Sequence, residues 1–119
     1  MIDENLIKAV AKKYDLFVKY EYNNSYTLIL DGKEICYYST FMAGWVHVCT
    51  QVYVDWYITD KPRVGFSEKH TMRNEKMFLE ALQYLIPTYN KLKIVISQIQ
   101  KEVKVETKLN DLEKDFKND

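Results

Sequence analysis

The side chains with the most reactive chemistry in this chain are two cysteines and two histidines: Cys36, His47, Cys49 and His70. They show neither the C-x-x-C nor the H-E-x-x-H spacing of zinc sites. His47 and Cys49 lie two positions apart, about 7 Å along a strand, so one ion would reach both. Two further ligands would have to come from elsewhere in the fold. We therefore expect no metal site, and we interpret both cysteines as free thiols of a reducing compartment.

A cysteine nucleophile activated by histidine is also poorly supported. Asp55, the acid that would orient His47, lies eight residues further along the same predicted strand, which is about 26 Å. That distance is far beyond hydrogen-bond reach. The three glycines are isolated, and neither G-x-x-x-x-G-K-[ST] nor G-x-G-x-x-G occurs. We expect no catalytic residue and no cofactor, and a small Cys- or zinc-dependent enzyme is the least favoured function.

Hydropathy patterns predict an α+β fold for the whole chain as one domain, residues 1–119. Apolar residues at helical spacing predict an N-terminal helix over residues 3–14. Residues 16–58 then alternate in the manner of four antiparallel strands connected as a meander. The strongest turn signal in this meander is Asp31-Gly32, because a type I′ turn needs a positive φ at both central residues.

The C-terminal half is predicted to be helical. Residues 59–66 are typical of an irregular turn that ends the sheet. Ser67 is the predicted N-cap of a helix that reaches Ile86. Pro87 then begins a second helix, separated from the first or kinked against it. The charged tail from about residue 110 is expected to fray.

The longest predicted strand, residues 46–58, carries a candidate interaction face. Its valines, with Trp56 and Ile58, fall on one side, which must meet the core. The opposite side mixes polar and aromatic groups suited to half-exposure. With Tyr38 from the preceding strand, the predicted interaction face consists of His47, Gln51, Tyr53, Asp55, Tyr57 and Tyr38. Tyrosine suits a protein interface, and it also suits base stacking on single-stranded nucleic acid.

The predicted C-terminal helices carry more apolar surface than one sheet face covers. The apolar stripe that reaches Val103 resumes at Val105 with a shift of phase, so one continuous seam does not fit both parts. A symmetric homodimer through these helices is one hypothesis, and packing of the stripe against the sheet within a monomer is the other. The candidate residues for self-association are Leu92, Val95, Ile99, Val103, Leu109 and Leu112.

Charge and hydropathy exclude other classes of partner. Seventeen basic and seventeen acidic residues give a net charge of +0, which removes long-range attraction to nucleic acid or anionic lipid. No apolar run approaches the roughly 18 residues of a membrane span. Asp3 and Glu4 stand where a secretory leader would be basic. We expect a cytoplasmic protein without a membrane partner.

Composition gives the last expectation. The basic residues are fifteen lysines and two arginines, which favours an AT-rich gene of a low-GC bacterium, its phages or mobile elements. We therefore predict a small non-catalytic protein-interaction factor, a phage or mobile-element accessory protein that binds and modulates, for example inhibits, a host or defence protein. It would act in the cytoplasm of the bacterium, or of the host if phage-encoded. The alternative is a single-stranded nucleic-acid-binding protein that uses the tyrosine-rich sheet face.

Overall fold

The computed structural model describes residues 1–22, 24–42, 44–56 and 62–117. The described strands form one antiparallel sheet in which spatial order follows sequence order. The predicted α+β class, with an N-terminal helix and an antiparallel meander, is confirmed, but the sheet has five strands rather than four. The elements are α1 (Glu4–Lys13), β1 (Phe17–Glu21), β2 (Ser25–Leu30), β3 (Lys33–Ser39), a 3-10 turn (Thr40–Met42), β4 (Val46–Asp55), β5 (Arg63–Met72) and α2 (Glu75–Lys117).

Helix α1 begins at a well-defined cap. The side chain of Asp3 accepts a hydrogen bond from the Leu6 backbone N–H at 2.9 Å, which satisfies one of the free donors of the first turn. The helix buries Ile7, Val10 and Ala11 at helical spacing. The predicted N-terminal helix is therefore confirmed.

The turn between β2 and β3 also follows the sequence prediction. Asp31 and Gly32 have φ values of 52° and 75°, the left-handed region that a type I′ turn requires at both positions. Gly32 adopts this region without steric cost, and Asp tolerates it better than most residues.

The fifth strand overturns the prediction for residues 63–74. β5 pairs with β4 on both sides of Glu68, from Asp55 opposite Arg63 to Val46 opposite Met72. Neither an irregular turn at residues 63–66 nor a helix N-cap at Ser67 is present. Few β5 residues have a high strand propensity, so the strand is formed by pairing with β4 and not by local preference.

Helix α2 begins later than predicted and is not divided. Asn74 caps it, with the Met77 N–H donating to Asn74 Oδ1 at 3.1 Å. The helix runs from Glu75 to Lys117 with Pro87 inside it, so the predicted separation into two helices is wrong. Proline removes the hydrogen bond to the carbonyl four residues earlier, that of Gln83. Pro87 is exposed, so its ring displaces nothing in the core.

Both helices pack against the same face of the sheet, which we call the inner face. The shared core joins α1 residues such as Ile7 to α2 residues such as Phe78 and Leu82. On β4, Val46 and Val48 are buried and Val52 and Val54 are half-buried, as the alternation predicts. Trp56, predicted on the same side, follows the end of β4 and is exposed, and Ile58 lies outside the described residues.

An irregularity interrupts β5, an outermost strand of the sheet. Glu68 has a φ of 56°, a left-handed conformation that costs a residue with a side chain about 1–2 kcal/mol. The Thr50 hydroxyl of β4 donates a hydrogen bond to the Glu68 carbonyl oxygen at 2.8 Å. This bond provides a partner for the carbonyl group at the irregular position.

The C-terminal part of α2 extends beyond the rest of the molecule. Ile96 is the last α2 residue described as buried. The helix continues to Lys117, and 21 residues at 1.5 Å each give about 31 Å. The molecule accordingly measures 72 Å in its longest direction and 27 and 23 Å in the others. We call residues 97–117 the projecting segment, and the rest of the chain the body.

Candidate functional site

The face of the sheet opposite the helices, which we call the outer face, carries most of the predicted interaction residues. His47, Gln51, Tyr53 and Asp55 alternate with the core-facing valines of β4 and so share this side. Tyr57 lies outside the described residues. The structure thus brings together four of the six residues proposed from the sequence.

Tyr38 does not belong to this surface. Cys36 pairs with Val48, which places Cys36 and, two positions on, Tyr38 on the inner face. Tyr38 is 5% exposed and stacks on Tyr26 with ring centroids 6.3 Å apart. The prediction failed because strand alternation fixes sides only once the register between strands is known.

The neighbouring residue, Tyr37, is the aromatic group that sequence reasoning missed. It pairs with His47 across the strands, and their rings stack at 6.1 Å. Its hydroxyl donates to Ser25 Oγ at 3.1 Å, and His47 Nδ1 lies 2.7 Å from Thr71 Oγ1. These contacts fix a strip of polar and aromatic side chains across four strands of the outer face.

Tyr53 forms an exposed aromatic plate at one end of this face. It pairs with Gly65 of β5. A Cβ atom at Gly65 would lie 2.5 Å from Cζ of the Tyr53 ring, so the ring lies directly against the glycine backbone. Tyr53 remains 48% exposed. One side of the ring is therefore covered by β5, while the other faces solvent.

A shallow groove of about 400 Å³ adjoins Tyr53. Two cationic and two anionic residues line it, namely Lys33, Arg63, Glu34 and Asp55. Lys69 binds Glu34 at 3.2 Å. The groove therefore has mixed charge, which suits a protein surface better than a polyanion.

The two cysteines are unsuited to nucleophilic chemistry. Cys36 is fully buried on the inner face, and burial raises its pKa far above the usual range of a thiol. Burial likewise raises the pKa of Cys49, whose thiol makes a weak hydrogen bond to the Glu34 carbonyl oxygen at 3.9 Å. The thiolate is the reactive form, so both groups are held in the unreactive one. Within the described ranges, no three His, Cys, Asp or Glu side chains come together to hold a metal ion.

A buried tyrosine connects α2 to the β2–β3 turn. Tyr89 donates to Asp31 Oδ2 at 3.0 Å and accepts from Lys33 Nζ at 3.1 Å. Lys93 also forms an ion pair with Asp31. The hydrogen bond from Lys93 lowers the pKa of Asp31, and the same bond raises the pKa of Lys93. This cluster anchors the last part of α2 that touches the sheet.

The predicted self-association residues fall into two groups. Leu92 is half-buried and packs into a small second core with Val64, Tyr89 and Ile96, so it belongs to the body. The exposed group contains Val95, Ile99, Val103 and Leu109. The side chain of Leu112 lies outside the described part. Two exposed apolar residues were missed by the sequence-based selection, Ile94 and Val105.

The comparisons with known proteins give no assignment. No protein-family model matches the chain, and no curated protein or solved structure shows significant similarity to it. In the part of the chain that the structure describes, neither helix is long and apolar enough to cross a membrane.

Proposed function

We propose that this chain is a non-catalytic protein-interaction module whose binding element is the projecting segment of α2. One observation carries this proposal: α2 continues for about 31 Å past Ile96 with apolar side chains in solvent. Val105 is 57% exposed and Leu109 is 55% exposed. Apolar residues repeated along one extended element are typical of a binding surface.

The intrinsic stability of the segment also supports a partner. In proteins most helical stability comes from packing of an apolar face rather than from local propensity, and the apolar side chains of this segment are exposed. β-Branched residues, which lower helix propensity, are frequent here, among them Ile99, Val103 and Val105. Covering an exposed Val or Leu side chain contributes about 1.5–3 kcal/mol, so a bound protein would stabilise the helix.

The proposed biological role extends the same reasoning. We propose an accessory factor of a phage or mobile element that binds and modulates a host or defence protein in the cytoplasm. The lysine-rich, arginine-poor composition supports a low-GC source. Codon usage in the gene and its flanking sequence tests that origin independently of any binding measurement.

Affinity capture from lysate of the source cell tests the interaction. The baits are the tagged wild type, Leu109→Glu in the projecting segment and Tyr53→Ala on the outer face, each with and without nuclease. We expect the same stoichiometric protein with wild type and Tyr53→Ala, no recovery with Leu109→Glu, and no effect of nuclease. Equal recovery with all three baits, or loss of the protein on nuclease treatment, would contradict the proposal.

The second candidate function is single-stranded nucleic-acid binding. The observation that favours it is the exposed Tyr53 ring, which is held flat over Gly65 with one side open to a base. Fluorescence anisotropy with a labelled oligonucleotide measures it at several salt concentrations. Binding that weakens steeply with salt, is lost in Tyr53→Ala and is retained in Tyr53→Phe would support this candidate.

A further inference from the structure

The projecting segment continues α2 in a different heptad frame from the one that meets the sheet. The body frame is read from the residues of α2 that line or adjoin the core at spacings of three and four: Leu82, Leu85, Tyr89, Leu92 and Ile96. Continued by sevens, this frame holds Ile99 and Val103 and then reaches Glu106 and Asn110, which are polar. From Val105 on, the apolar residues instead follow a frame one residue earlier, at Val105, Leu109, Leu112 and Phe116.

This change of frame turns the apolar stripe around the helix. One residue corresponds to about 100° of rotation. The first stripe therefore faces the sheet of its own chain, and the second faces a direction well away from that sheet. A helix that paired with the second stripe would pass beside the body without colliding with it.

The charged residues that flank the second stripe identify what would pair with it. With Val105 and Leu112 at heptad position d, and Glu102, Leu109 and Phe116 at a, the g positions hold Lys101, Lys108 and Asp115. The flanking e positions hold Glu106 and Glu113. Lysine at g and glutamate at e are residues that commonly set the pairing of coiled coils.

The orientation of the pair follows from these positions. In a parallel, in-register coiled coil, a g residue faces the e residue five positions later on the other helix. Lys101 would then meet the partner's Glu106, and Lys108 would meet the partner's Glu113. An antiparallel pair would set g against g and e against e, which places lysine against lysine and glutamate against glutamate.

We propose that the projecting segment binds a second copy of this chain as a parallel, in-register coiled coil over residues 101–116. The inference rests on the proposed function and narrows it: a second copy occupies the projecting segment, and a host or defence protein would bind the dimer that results. Both bodies then lie at the same end of the coiled coil, with their outer faces free. Each dimer would present two copies of the Tyr53 surface side by side.

The mass in solution is the first test. Sedimentation equilibrium of the full chain from about 1 to 200 μM should give twice 14.2 kDa at the upper end. Lys101→Glu with Lys108→Glu places glutamate at both g and e, so the midpoint of dimer formation should rise at least about tenfold in concentration. Glu106→Lys with Glu113→Lys should weaken self-association in the same way. An equimolar mixture of the two variants should restore the dimer, because each g residue again meets an opposite charge.

A matched control distinguishes the effect of pairing between g and e positions from the effect of net charge. Lys76→Glu with Lys104→Glu makes the same change in net charge at exposed positions outside g and e. This variant should keep the wild-type midpoint. If it weakens the dimer as much as the g-position variant does, net charge and not the pairing of positions is responsible, and the proposed coiled coil is wrong.

Single cysteines establish the orientation. In a parallel pair, Val105→Cys and Leu112→Cys should each form a disulfide-linked dimer on mild oxidation, whereas Asn110→Cys, away from the seam, should not. In an antiparallel pair, two positions about 10 Å apart along the helix cannot both lie on the two-fold axis. The native Cys36 and Cys49 are buried and should stay unmodified.

The outcomes distinguish this inference from the proposed function. If the protein is a monomer at 200 μM and captures another protein in a Leu109-dependent manner, the proposed homodimer is wrong and the proposed interaction module stands. A monomer with no such capture would overturn both. A dimer in which only one cysteine variant cross-links would overturn the parallel orientation, and a mass of three or four chains would overturn the two-copy stoichiometry.

Discussion

Both parts of α2 carry apolar residues, which are more frequent in the first part, and the structure gives the two parts different surroundings. Between Phe78 and Ile96 most apolar side chains fill the core beneath β4 and β5, while Tyr84, Ile94 and Val95 are exposed. From Ile99 to Leu109 the apolar side chains are exposed. The first part is therefore held by the fold of its own chain, and we propose that the second is held by a second copy. Substitutions in the first should change folding stability, and substitutions in the second should change association.

The largest expected difference is in the free energy of unfolding, between a leucine-to-alanine substitution in the first part of α2 and one in the second. Leu82→Ala creates a cavity at a fully buried position and should lower the free energy of unfolding by about 2–5 kcal/mol. Leu109→Ala should change the unfolding of the monomer by less than about 0.5 kcal/mol. Urea denaturation at low protein concentration measures both. Equal losses in the two variants would remove the distinction between the two parts.

The next largest effects are expected when a proline is removed from the first part of α2 or introduced into the second. The first change should affect folding stability and the second should affect self-association. Pro87→Ala should raise the free energy of unfolding by about 1–2 kcal/mol, because Pro87 is exposed and the Gln83 carbonyl regains a hydrogen-bond donor. Lys104→Pro, which lies within residues 101–116, should leave thermal unfolding of the monomeric body nearly unchanged and abolish self-association. Circular dichroism and sedimentation report the two effects. Destabilisation by Pro87→Ala would show that the body has adapted to the proline.

The start of α2 provides a smaller test of the first part. Asn74→Ala removes the acceptor for the Met77 N–H and should cost about 1 kcal/mol. Asn74→Asp retains an oxygen acceptor and should stay within about 0.3 kcal/mol of wild type. Thermal denaturation of the three proteins measures this order. Equal stability of all three would mean that the cap does not contribute to the folding of the body.

The anchor at Asp31 should give the smallest effect and a pH dependence. Lys93 lowers the pKa of Asp31 in the folded state, so the ion pair stabilises the fold above the ordinary value of 3.8 and is lost as the pH falls through the lowered pKa. Asp31→Asn, which tolerates the positive φ, should cost about 0.5 kcal/mol at pH 7 because the pair is partly exposed. Its stability should converge with that of wild type as the pH falls below the lowered pKa of Asp31. A difference that is constant from pH 2 to 7 would contradict this origin.

The sequence predicted the elements whose signals are local. The Asp31-Gly32 turn, the capped helix after Asp3 and the alternation of Val46 and Val48 each depend on a few neighbouring residues. β5 was missed because its residues have little strand propensity and Ser67 resembles a helix cap. Only pairing with the long partner β4 makes the segment a strand.

The sequence also predicted the candidate surfaces in part. Alternation placed His47 and Tyr53 on one side correctly, but the side of Tyr38 required the register of β3 against β4. The shift of phase at Val105 was visible in the sequence. The sequence did not show which part of the apolar pattern contacts the sheet, because the extent of the sheet beneath α2 determines where the body frame ends.

The left-handed residue in β5 has a consequence for solubility. An outermost strand of ten residues offers a row of backbone donors and acceptors on which another chain can extend the sheet, as in amyloid growth. Glu68 interrupts that row near its middle and divides the ten residues into two shorter segments. The charged Lys69 beside it further disfavours stacking. A chain with a neutral net charge at pH 7 gains little protection from overall repulsion, so the irregular residue is a local obstacle to extension of the sheet at the β5 edge.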